Sequence, residues 1–61
     1  MEKEKIRILI VEDDAEISHT YSVIINGSDK FTVVRTCNNC TDALRHCLID
    51  QPDIVLMDIE L

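Results

Sequence analysis

The chain has 61 residues, a formal net charge of -6, 46% hydrophobic residues and 3% aromatic ones. That length allows one small domain whose core rarely supplies more than about 3–5 kcal/mol, and the hydrophobic share excludes a disordered chain. An acidic surface with so few aromatic rings excludes nucleic acid and anionic membrane as partners, leaving cations and basic protein faces.

Residues 1–5 mix Glu and Lys and read as a solvated lead-in. No apolar run is long enough for an export signal or a membrane span, so the expected compartment is the cytosol, with Cys37, Cys40 and Cys47 reduced. Ile6-Arg7-Ile8-Leu9-Ile10-Val11 is apolar and β-branched, as in a parallel strand buried on both faces. Asp13 or Asp14 then caps a helix, and Asp13 with Glu16 has capping-box spacing. Ile17, Tyr21, Ile24 and Ile25 form its apolar stripe. Asn26-Gly27 ends that helix, with Gly27 suited to a left-handed C′ position.

Phe31-Thr32-Val33-Val34 is the second predicted strand. Asn39 is an N-cap for a second helix whose buried stripe is Ala43, Leu44, Cys47 and Leu48, with Cys40 one turn earlier. Pro52 biases Gln51 away from helix and ends it. Ile54-Val55-Leu56-Met57 again reads as a doubly buried strand. The alternation β-α-β-α-β predicts an α/β fold with parallel strands and right-handed crossovers.

Both apolar runs end in acid: Glu12-Asp13-Asp14 after the first and Asp58 after the last. If the two are parallel neighbours, Glu12, Asp13 and Asp58 meet at one sheet edge, where the crevice of an open α/β sheet lies. Carboxylates held that close raise one another's pKa unless a cation sits among them. The pattern points to a hard-metal site containing a reactive Asp.

These residues resemble a response-regulator receiver domain of two-component signalling. Ile8-Leu9-Ile10-Val11-Glu12-Asp13-Asp14 looks like the family's opening. Asn39-Cys40-Thr41-Asp42-Ala43-Leu44 is similar to its Asn-Gly-x-Glu-Ala-Leu helix start, with Cys40 in place of Gly. Pro52-Asp53-Ile54-Val55-Leu56-Met57-Asp58 matches its third strand. The resemblance implies the flavodoxin-like strand order 2-1-3, with Asp58 as phosphoacceptor. It also implies Mg²⁺ held by Glu12, Asp13, Asp58 and the backbone carbonyl of Glu60, and a sensor histidine kinase as phosphodonor. Such a module accepts a phosphoryl group rather than acting as an enzyme.

A family receiver is about twice this long, with five strands. The 61 residues hold neither the family's switch Thr or Ser nor its Lys, and no output domain. The expectation is therefore a truncated receiver, impaired as a switch, whose third strand is an open edge that invites self-association. Two rivals stand beside it. Asp58-Ile59-Glu60 resembles the nucleophile motif of Mg²⁺-dependent aspartyl phosphatases, and the chain could be a self-associating interaction fragment with no metal dependence. Cys37-Asn38-Asn39-Cys40 would need two more ligands to hold zinc; Cys47 and His46 are candidates, but Cys47 belongs to the apolar stripe, so buried small side chains are expected at Cys40 and Cys47. His19, His46 and the scattered Lys and Arg residues read as solvated surface.

Overall fold

A computed structural model describes residues 4–58. Its elements run β1 (Ile6–Glu12), α1 (Ala15–Asn26), β2 (Phe31–Cys37), α2 (Cys40–Asp50) and β3 (Ile54–Asp58). The strands form one parallel sheet in the order β2-β1-β3, as expected from the alternation and the resemblance.

The central strand carries the core. Leu9, Ile10 and Val11 are 0% exposed, which is what an apolar run flanked by strands on both edges and helices on both faces requires. Successive side chains on a strand alternate faces. Leu9 and Val11 pack with Cys37, Ala43 and Cys47 under α2. Ile8 and Ile10 project from the other face, which α1 covers.

Pairing of β1 with β2 shifts at one point. Ile8 pairs with Val33 but Leu9 pairs with Arg35, so Val34 is an extra, bulged residue. Beyond the bulge Arg35 and Cys37 share the α2 face with Leu9 and Val11. There the Arg35 guanidinium grips Asp50 at 2.8 and 3.2 Å. That hydrogen bond, with the charge behind it, holds the Asp50 carboxyl below its ordinary range. Arg35 is thus an anchor between β2 and α2 rather than a scattered surface charge. His46 is likewise half-buried, not solvated, with Nδ1 3.8 Å from Asp50.

The helix ends follow local chemistry, with one correction. Of the two candidates Asp13 and Asp14, Asp14 caps α1, accepting from the backbone N–H groups of Glu16 and Ile17 at 2.9 and 3.2 Å. Gly27 is right-handed (φ -71°) and its N–H donates to Val23 O, so its lack of a side chain is not used for a left-handed turn. The left-handed residue is Gln51 (φ 47°), whose N–H closes α2 onto Cys47 O. Asn39 caps α2 as expected, accepting from Asp42 N at 2.8 Å. The Arg7 side chain donates to Gln51 O, and its backbone N–H donates to Asp53 at 2.8 Å, seating β3 beside β1.

The apolar stripes are only partly covered. Ser18 is the buried position of α1, while Ile17 and Ile24 are exposed. On α2 only Ala43 is buried; Leu44 and Leu48 are exposed, Leu48 by 82%. β3 is exposed along its length, contrary to the doubly buried strand expected. Both helices pack against β1 and β2; α1 touches β3 through the Tyr21 hydroxyl at Asp58 and leaves Ile54 to Met57 exposed.

Candidate functional site

The site is built by register. Glu12 and Asp58 are paired residues at the carboxyl ends of β1 and β3, so their side chains leave the sheet on the same face. Asp13 follows directly and is exposed. The three acids, with Asp14 and Ile17, line a cleft of ≈ 350 Å³. The convergence expected from the sequence holds for these three. The carbonyl of Glu60, also expected there, lies outside the described residues.

Glu12 is buried to 4% exposure. Its Oε1 accepts from Asp14 N at 3.0 Å. Its Oε2 is buried with no hydrogen-bond partner. The Asp14 N–H is the largest influence on its pKa and lowers it. Burial, the Asp13 carboxyl and the charge of Asp58 act together against it, and the net effect is a Glu12 carboxyl above its ordinary 4.5. The unfolded chain releases that proton at lower pH than the folded chain does. Stability tied to Glu12 is therefore full below about pH 4.5 and lost as pH rises through the folded value. Urea midpoints should accordingly fall as pH rises above about 4.5, and Glu12→Gln should flatten that part of the slope. An unchanged slope in the variant would show that Glu12 does not carry it.

Asp58 has a partner that sequence reading missed. The Tyr21 hydroxyl donates to Asp58 Oδ2 at 2.6 Å across 37 residues of sequence. This bond to a carboxylate, helped by burial and nearby negative charge, raises the Tyr21 pKa above the ordinary phenol range. Tyr21 entered the sequence reading as one more apolar stripe residue. The available signal was a polar tip on an otherwise aliphatic stripe.

The donor set consists of carboxylate oxygens, which suit a hard divalent cation such as Mg²⁺. The orphaned Oε2 of Glu12 is an atom such an ion would satisfy, and a buried acceptor left without a partner is otherwise costly. Among the described residues, no three Cys, His, Asp or Glu side chains are drawn together into a finished ligand set. Asp58 is instead engaged by Tyr21.

The cysteines form no second site. All three are free thiols. Cys37 is in the core, where burial pushes its thiol up. Cys40 is exposed, not buried as expected, and Cys47 is half-buried. The CxxC pair is therefore split between core and surface. No helix of the described residues is long and apolar enough to cross a membrane.

Comparison with known proteins bears on this geometry. The family model of the response regulator receiver domain matches residues 8–61. The chain is 33% identical over 61 residues to a protein-glutamate methylesterase/protein-glutamine glutaminase of Bradyrhizobium diazoefficiens, covering 100% of this chain and 17% of that protein. It is 40% identical over 55 residues to the transcriptional regulatory protein KdpE of Staphylococcus aureus, covering 90% of this chain and 23% of that protein. A methylesterase/glutaminase of Methanosarcina acetivorans is 42% identical over 53 residues, 87% of this chain and 15% of that protein. The chain thus spans less than a quarter of the length of each of these relatives. No solved structure matches it significantly.

Proposed function

The chain belongs to the response regulator receiver domain family, and from that premise we propose that Asp58 is its phosphoacceptor, loaded by a sensor histidine kinase. The observation that carries this is the register pairing of Asp58 with a buried Glu12 that has an orphaned oxygen. An Asp58 oxygen attacks phosphorus in line. The new O–P bond forms as the P–N bond to the kinase imidazole breaks, and the electron pair leaves with the imidazole. Glu12, Asp13 and Asp58, with the Glu60 carbonyl by family similarity, would hold Mg²⁺. The chemistry that ion supplies when bound is charge neutralisation between these acids and the phosphoryl oxygens. Positioning and electrostatics do most of the work in such transfers.

No cationic side chain lines the cleft among the described residues, so transfer to this 61-residue chain is expected to be slow. The same reading places the chain in the cytoplasm and treats any regulated activity of a longer protein as separate from this segment. It is favoured over an aspartyl phosphatase because Asp58 closes the third strand, whereas that motif belongs on the first. Intact-mass measurement after incubation with acetyl phosphate and Mg²⁺ tests it. One phosphoryl addition mapping to Asp58 is expected, and no addition, or addition elsewhere, refutes it.

One observation favours a second property. β3 presents Ile54, Val55, Leu56 and Met57 exposed and uncharged, as an edge open to pairing. We propose that two copies associate through it. Light scattering should give a dimer mass for the chain and a monomer mass for Val55→Lys, since a charge on an edge strand blocks pairing. A monomeric parent chain with intact secondary structure would rule this out.

A further inference from the structure

Tyr21 reaches the proposed acceptor from an element with no part in the metal set. It is half-buried on α1 and donates to one Asp58 oxygen, Oδ2, at 2.6 Å. Among the described residues no hydrogen bond is made to Oδ1, so the attacking oxygen is left open while its twin is held. We propose that the Tyr21 hydroxyl is a brake on phosphorylation of Asp58, a positioning residue that favours the carboxylate over the acyl phosphate. This rests on Asp58 being the acceptor.

In the free carboxylate Oδ2 bears half the negative charge and the hydroxyl bond is charge-assisted. When Oδ1 bonds to phosphorus, Oδ2 becomes the carbonyl oxygen of a neutral acyl group. Hydrogen bonds to ionised acceptors are roughly twice as strong as those between neutral groups. The Tyr21 bond therefore weakens on the way to product, and an interaction stronger in the ground state than in the transition state slows the step. Hydrolysis runs the charge backwards. Water attacks phosphorus, the Oδ1–P bond breaks and its electron pair returns to the carboxylate. Oδ2 then regains charge in reach of the same hydroxyl, so loss is accelerated.

The test compares the chain with Tyr21→Phe, which removes only the hydroxyl. Both are loaded with acetyl phosphate and Mg²⁺, and phosphoryl gain and loss are followed by mass. Faster loading and a longer phosphoryl lifetime are expected in the variant, raising the ratio of loading to loss roughly tenfold. Tyr21 is the chain's one tyrosine, so growth on 3-fluorotyrosine changes this hydroxyl alone in the unaltered sequence. Its more acidic phenol is a stronger donor and should shorten the lifetime, an opposite shift that a packing role would not produce. Equal lifetimes in the three proteins overturn the brake and leave the acceptor assignment standing. Absence of phosphoryl gain in all three overturns both.

Discussion

Replacing Asp58 by Asn is expected to abolish phosphoryl gain from acetyl phosphate and Mg²⁺, with the fold intact. The amide keeps the size of the side chain and can still accept the Tyr21 hydroxyl, but it has no anionic oxygen to attack phosphorus. Asp58 lies on an exposed strand end, so the change removes no core packing, and circular dichroism should be unchanged. One fewer negative charge beside Glu12 should also relax the Glu12 carboxyl toward its ordinary range, since Asp58 is among the groups that raise it. Residual phosphoryl gain in the variant would mean that another group is the acceptor.

The largest stability effect is expected at Ile10. Its side chain is 0% exposed at the centre of the sheet, and an Ile→Ala change in such a site costs about 2–5 kcal/mol. A core of this size supplies only about 3–5 kcal/mol in total. Ile10→Ala should therefore be largely unfolded at 25 °C by circular dichroism. Ile10→Val, costing about 0.5–1.5 kcal/mol, should remain folded with a lower urea midpoint. Ile24→Ala is the control: Ile24 is 67% exposed, so its midpoint should barely move. Equal losses at Ile10 and Ile24 would contradict a core centred on β1.

Much of the architecture was legible because β1 states its own environment. Ile8 to Val11 cannot be stable with one face in water, so a sandwiched centre strand follows. Acid at both strand ends then placed Glu12, Asp13 and Asp58 together. What could not be read is which apolar faces are covered. Ile54 to Met57 has the same apolar character as Ile8 to Val11, yet one run is exposed and the other buried, because burial depends on what packs alongside. Leu44 and Leu48 mislead in the same way. Tyr21 was invisible as a site residue because its partner is 37 positions away, and only the crossover of α1 along the sheet brings the two together. The sequence pattern carries the second strand only to Val34, short of its end at Cys37, because alternation fails there.

That failure is the bulge, and it sets the molecule's reading frame. Were Val34 paired with Leu9 instead of bulged out, every position after it would turn over. Thr36 would enter the space now filled by Cys37 between Val11 and Ala43, and Arg35 would swing away from Asp50. Removing Val34 outright, by contrast, would leave Ile8–Val33 and Leu9–Arg35 as consecutive pairs, so Arg35 and Cys37 would keep their places. Along this strand, register is a tighter constraint than length.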